Sequence, residues 1–195
     1  MTENLDNLPD TARKARKALK KLQESKKPKF EYLLKICIIG TNFKLRDKLI
    51  RSYAEDYSDD RTHETTGVNI STHKVSIDNT HIKLILVNIA GQEFFGKLRP
   101  NYYRGASACI IVFDKSDRRS FDTVPDWLKE FQTHILSPDI PIAIVGINTK
   151  SKNVSNEEGN ALADQLDLAY FETSYPKFRN AQEIFQYLAR KVIKL

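Results

Sequence analysis

The chain has 195 residues, 41% of them hydrophobic and 29% charged, with a formal net charge of +6. That is enough for one domain with a real core, and no apolar run approaches the roughly 20 residues of a membrane span. The charge is uneven: residues 1–29 hold nine Lys/Arg against four Asp/Glu, so the remaining 166 residues are close to neutral. The basic balance therefore describes an N-terminal extension, and nucleic acid is not an expected partner of the domain.

Residues 1–9 are polar. A helix is expected from Thr11 to about Ser25, capped by Asp10, with Leu8, Ala12, Ala15, Leu19 and Leu22 forming one narrow stripe. The stripe is framed by Arg13, Lys14, Arg16, Lys17, Lys20 and Lys21, so residues 13–29 either contact an anionic membrane or form a solvated extension. Lys26-Lys27-Pro28-Lys29 reads as a linker, which sets a domain at 30–195. The N-terminus lacks an apolar leader, residue 2 is threonine, and the last residues hold no cysteine to prenylate. The expectation is a cytoplasmic protein without a lipid anchor. Cys37 and Cys109 sit in apolar runs and are expected as buried free thiols.

From Phe30 onward, strand and helix patterns alternate. Strands are expected at Leu33–Ile39, Val68–Ile77, His81–Ile89, Cys109–Asp114, Pro141–Ile147 and Ala169–Thr173. Helices are expected at about Arg46–Ala54, from near Thr123 to Leu136, at Ser155–Leu166 and at Asn180–Ile193. Pro125 lies too deep for an undisturbed helix from Ser120, which sets the start near Thr123. Near-continuously apolar strands alternating with helices define an α/β fold with a mostly parallel sheet covered on both faces. Ligands of such sheets sit at the carboxyl ends of the strands.

The turn after Ile39 is the informative one. A strand entering a helix through Gly40 suits a phosphate loop, because backbone N–H groups and the helix end point at one spot. The chemistry needs Gly-x-x-x-x-Gly-Lys-Ser/Thr, and the chain reads Gly40-Thr41-Asn42-Phe43-Lys44-Leu45-Arg46-Asp47. Leu45 stands for the second glycine, Arg46 for the lysine and Asp47 for the hydroxyl.

Further segments point to a family. Thr65-Thr66-Gly67-Val68, Ala90-Gly91-Gln92-Glu93, Tyr102-Tyr103-Arg104-Gly105-Ala106, Ser120-Phe121 with Trp127-Leu128, and Glu172-Thr173-Ser174 resemble the Ras superfamily of small GTPases, most of all its Rab branch. The resemblance spans about Tyr32 to Leu195. It implies a three-layer P-loop NTPase or small G-domain fold: a six-stranded, mostly parallel sheet with one antiparallel edge strand and helices on both faces. It also implies a guanine-nucleotide switch using GTP or GDP with Mg²⁺, in which two loops respond to the γ-phosphate and effectors read the difference.

The positions that the resemblance assigns to nucleotide are Gly40, Arg46, Asp47, Thr65, Gly91, Asn148 and Ser174, with Gln92 orienting the attacking water. Several are altered. An aspartate beside the triphosphate repels it, and two unit charges about 4 Å apart cost about 4 kcal/mol at an effective dielectric near 20. That is about three decades of affinity. Asn88 replaces the Mg²⁺ aspartate. The guanine clamp, Asn-Lys-x-Asp, reads Asn148-Thr149-Lys150-Ser151, without the carboxylate that accepts from the base. Tyr175 and Pro176 replace the Ala-Lys of the last loop.

Five altered features argue for a pseudo-GTPase with no nucleotide cofactor, whose phosphate space is filled by Phe43, Leu45 and an Arg46–Asp47 ion pair. Its switch face would then hold an effector through Ile70, Val87 and Tyr102, the positions of the Rab aromatic triad, and through Phe94 and Phe95. Two alternatives stand beside it: a weak but genuine GTP switch using Arg46 and Gln92, and a peripheral membrane binder acting through the basic extension.

Overall fold

The computed structural model describes residues 30–53, 67–91, 96–151 and 153–194. Its first strand, β1 (Tyr32–Ile39), turns at Gly40 into helix α1 (Phe43–Tyr53). Strands β2 (Val68–Ile77) and β3 (Thr80–Ile89) form an antiparallel hairpin. Asp78 and Asn79 supply its turn, both at positive φ, a conformation that short polar side chains tolerate. A short helix α2 (Arg99–Tyr103) precedes β4 (Ala108–Asp114). Helices α3 (Arg118–Asp122) and α4 (Val124–His134) follow, then β5 (Ile142–Asn148), α5 (Asn156–Leu166), β6 (Ala169–Ser174) and α6 (Ala181–Ile193).

The strands lie in the order β2-β3-β1-β4-β5-β6, parallel except for the edge strand β2. Two apolar layers cover the sheet. On one face Leu34, Ile36 and Ile38 pack with Leu49 and Ile50 of α1 and with Ile184, Phe185 and Leu188 of α6. On the other, Cys37, Ile39 and Ile111 pack with Tyr103 of α2, Trp127 and Phe131 of α4, and Ala163 of α5. This is the three-layer architecture that the sequence patterns predict. Cys37 and Cys109 are buried free thiols, neighbours in register across β1 and β4. Burial pushes the Cys37 thiol up to about 12 and the Cys109 thiol well above its usual value.

The helix boundaries differ in one place that matters. Helix α1 begins at Phe43 rather than near Arg46, because the Asn42 side chain accepts from Leu45 N–H (3.0 Å) and caps it early. The stretch expected as an open loop is thus coiled into the first helical turn. At the second boundary the expectation holds: Pro125 occupies the first turn of α4, after Thr123. The helices α2 and α3, five residues each, are too short to leave a periodic signal.

Because the sheet is parallel around β1, the turns after Ile39, Ile89, Asp114, Asn148 and Ser174 gather along one edge. Gly40 makes the first of them feasible. Its φ is +131°, and a Cβ there would lie 2.1 Å from the Val112 carbonyl oxygen. Gly40→Ala is therefore expected to lower stability by well over the roughly 1–3 kcal/mol that a strained backbone alone costs. A denaturant midpoint that does not move, at constant slope, would contradict this reading.

Candidate functional site

The site lies along that edge, and its two ends are held by different bonds. At the phosphate end, Arg46 is fully buried. Its Nη2 donates to the Ile89 carbonyl oxygen at 2.9 Å, and its guanidinium carbon lies 5.7 Å from the centroid of the Phe43 ring. Its Nε and Nη1 are buried and have no hydrogen-bond partner among the described residues. Burial disfavours the charge and holds the guanidinium below its usual range.

Asp47 does not pair with Arg46, contrary to expectation. It accepts from Arg51 Nε (2.7 Å) and from Asn69 Nδ2 (2.7 Å), because Arg51 stands one turn along the same helix face while Arg46 points inward. Leu45 is buried in the apolar layer with Leu49 and Ile50, and Phe43 is half-buried. Asn88, also fully buried, donates from Nδ2 to the Phe43 carbonyl oxygen (3.3 Å), and its Oδ1 has no partner. Two bonds thus join the first turn of α1 to the end of β3. Gly91 sits close behind: a Cβ there would come within 2.9 Å of the Gly40 carbonyl oxygen.

At the other end, Asn148 and Ser174 are partners in register across β5 and β6. The Tyr175 N–H donates to the Asn148 carbonyl oxygen (2.9 Å). Lys48 of α1 reaches over, donating to the Tyr175 hydroxyl (2.9 Å) with its ammonium 4.5 Å from the ring centroid. Thr149 turns inward and donates to Asp114 Oδ1 (2.7 Å), while Lys150 and Ser151 are exposed. One participant was not anticipated. Lys115 is fully buried, pairs with the Glu172 carboxylate and donates to Asn156 Oδ1 (2.6 Å); Tyr170 donates to the same carboxylate (2.7 Å). The signal was a lysine ending an apolar strand, which reads from sequence as a solvated loop residue.

The structure therefore brings Gly40, Arg46 and Gly91 together at one end and Asn148 and Ser174 at the other, and turns Asp47 aside. Thr65, Gln92, Phe94, Phe95 and residues 13–29 lie outside the described residues. Of the surface trio, Ile70 is 57% exposed and Tyr102 half-buried, whereas Val87 is 1% exposed. Val87 is therefore core rather than contact surface, since it faces the layer containing Tyr103 and Trp127. Leu98, 45% exposed just before α2, is an apolar surface residue that the motifs did not single out.

Helix α2 is fastened to α4. Arg99 forks onto Glu130 with two 2.7 Å bonds, Tyr103 donates to the same carboxylate (2.7 Å), and the Arg99 guanidinium stands 5.0 Å from the centroid of the Trp127 ring. Partial burial would raise the Glu130 pKa, but the hydrogen bonds from Arg99 and Tyr103 outweigh it and leave the group below its usual range.

A parallel sheet in this order, with a glycine turn feeding a helix after its central strand, is the small G-domain. A family model described as Ras family matches residues 35–194. The chain is 32% identical over 168 residues to the Ras-related protein RabQ of Dictyostelium discoideum, covering 85% of this chain and 82% of that protein. It is 34% identical over 167 residues to the Ras-related protein RABD1 of Arabidopsis thaliana, with coverage of 85% and 82%. It is 32% identical over 169 residues to the GTP-binding protein ypt3 of Schizosaccharomyces pombe, with coverage of 85% and 78%. The chain belongs to the Ras family, on its Rab-like side.

Two outcomes follow from this geometry. Each unsatisfied buried donor costs about 1–3 kcal/mol, and well-packed apolar replacements of buried charges are often neutral or stabilising. Arg46→Met is therefore expected to match or exceed the parent in denaturant midpoint, whereas Arg46→Ala leaves a void and loses about 2–4 kcal/mol. Equal losses in both variants would contradict this. For Glu130, a folded pKa below the ordinary 4.5 means that its contribution is complete above that pH and disappears as pH falls through the folded value. Glu130→Gln should flatten the acid limb of the stability curve in that window, and an unchanged limb would contradict it.

Proposed function

We propose that this Rab-like protein is a nucleotide-independent interaction module: a pseudo-GTPase whose site is closed by its own side chains. The observation that carries the reading is Arg46, folded inward onto the Ile89 carbonyl instead of lying free for a phosphate. A magnesium triphosphate, which members of this family bind in general, fits the remaining groups poorly. The first turn of α1 occupies loop space and is capped by Asn42. Asp47 adds a negative charge that repels the phosphates and already accepts from Arg51 and Asn69, and Asn88 brings a neutral amide where the metal needs charge. The Tyr175 N–H is already bonded to Asn148, and Lys48 bridges to Tyr175 across the base end. No carboxylate follows Asn148 to accept from guanine.

In this reading the domain begins at residue 30, the basic segment 1–29 is an appendage, and the protein works in the cytoplasm. Among the described residues, no helix is long and apolar enough to cross a membrane. An effector protein would be held by the face that carries Ile70, Tyr102 and Leu98, with Phe94 and Phe95 as further anchors.

The test is the nucleotide content of the purified protein. After denaturation, ion-exchange chromatography of the released small molecules should yield no stoichiometric guanine nucleotide. The melting temperature should be indifferent to EDTA and to added GTP with Mg²⁺. One mole of GDP or GTP per mole of protein would replace this reading with a working switch.

A further inference from the structure

The connection from α4 to β5 leads into the start of a parallel strand, so it lies at the opposite end of the sheet from the Gly40 turn. Ile135 ends α4 with extended backbone (φ −89°, ψ 154°). Ile135 and Ile140 both pack against the apolar layer under α4. The four residues between them, Leu136-Ser137-Pro138-Asp139, are all exposed, Leu136 by 86%. The chain is pinned at two isoleucines and arches outward between them.

Two properties of this arch point to one chemistry. First, its serine precedes a proline. The proline ring crowds the backbone of the residue before it and keeps Ser137 extended rather than helical. A proline in that place can also enter an apolar pocket of an enzyme without leaving a buried N–H unpaired. Of the seven prolines in the chain, Pro138 is the one that follows a serine or threonine. The second property is access. Ser137 is exposed, and its hydroxyl has no hydrogen-bond partner among the described residues.

Burial sets this serine apart from a competing pattern. Arg118-Arg119-Ser120 has the cations that a basic-directed kinase selects, yet Ser120 is 2% exposed. Its hydroxyl lies against the Asp114 and Asp117 carbonyl oxygens (3.0 and 2.8 Å) and accepts from the Asp114 N–H (2.9 Å). That oxygen is not free to react.

We propose that Ser137 is a phosphorylation site for a proline-directed Ser/Thr protein kinase, with the arch 136–139 presenting it in the folded protein. The Ser137 Oγ attacks the γ-phosphorus of ATP. The Oγ–P bond forms, the bond to the departing ADP breaks, and the hydroxyl proton passes to the kinase's base. The product carries about −1.5 to −2 charges at pH 7. It stands just past the carbonyl end of α4, which disfavours negative charge, and Asp139 adds like charge beside it. In the last turn of α4, His134 Nδ1 donates to the Glu130 carbonyl oxygen (2.8 Å), and the Glu130 carboxylate fastens α2. Phosphorylation therefore weakens the turn that adjoins this fastening. The acceptor stands apart from Gly40–Asp47 and does not rest on the reading of the nucleotide site.

The experiment treats the folded full chain with a cyclin-dependent kinase, ATP and Mg²⁺, and maps the phosphate by mass spectrometry. A single phosphate is expected on Ser137, taken up as readily as by a tryptic digest of the same chain. Ser137→Ala should take up none and Pro138→Ala far less than the parent, both at the parent's denaturant midpoint. A principal phosphate elsewhere, undiminished uptake by Ser137→Ala, or uptake by the digest alone would overturn the site. Equal uptake by the parent and Pro138→Ala would overturn its assignment to proline-directed kinases. In the ¹⁵N-labelled phosphoprotein, amide shifts should reach Glu130–His134, and shifts that stop at Leu136 would overturn the effect on α4.

Discussion

A buried guanidinium without a counter-ion among the described residues governs this structure. Arg46 is wholly buried, makes one bond to a backbone carbonyl, and keeps two nitrogens without partners. Such a group is expensive to bury, and the surrounding fold has to supply the difference. It does so through β1 and β3, whose parallel register fixes the Ile89 carbonyl opposite the first turn of α1. Asn88 adds a return bond to Phe43. Two of the chain's own side chains thus tie the start of α1 to the end of β3.

The other end of the edge follows the same logic with weaker groups. Lys48 and Tyr175 meet across it at the surface, where a cation on an aromatic face contributes about 0.5–1 kcal/mol. Behind them lies the firmer Lys115–Glu172–Tyr170 knot, which fastens β4, β6 and α5. The two ends are thus unequal: one is held by buried bonds, the other by contacts at the surface.

Much of this was readable in advance, for reasons that differ by element. The strands announced themselves because a sheet buried on both faces leaves unbroken apolar runs, as in Cys109–Asp114. Pro125 marked a helix start because its ring fixes the first turn. The substitutions at Leu45, Arg46 and Asp47 were visible as letters, but their consequences were not. Nothing local told whether Arg46 would reach Asp47, one residue on, or a carbonyl 43 residues away. Only the pairing of β1 with β3 decides that. Val87 misled for a related reason: its place in a surface motif says nothing about which side of the strand is covered. Lys115 stayed hidden because its surroundings come from distant strands.

The Arg99–Glu130 fork has a consequence for timing. A chemical clock needs a part that can swing, and this fork nails the short helix beside Leu98 to the body of the domain. A partner docking there would meet the same landscape at every encounter. Under the function proposed above, the fraction engaged would then follow from the amounts of the two proteins and their affinity, with no internal fuse to cut the association short.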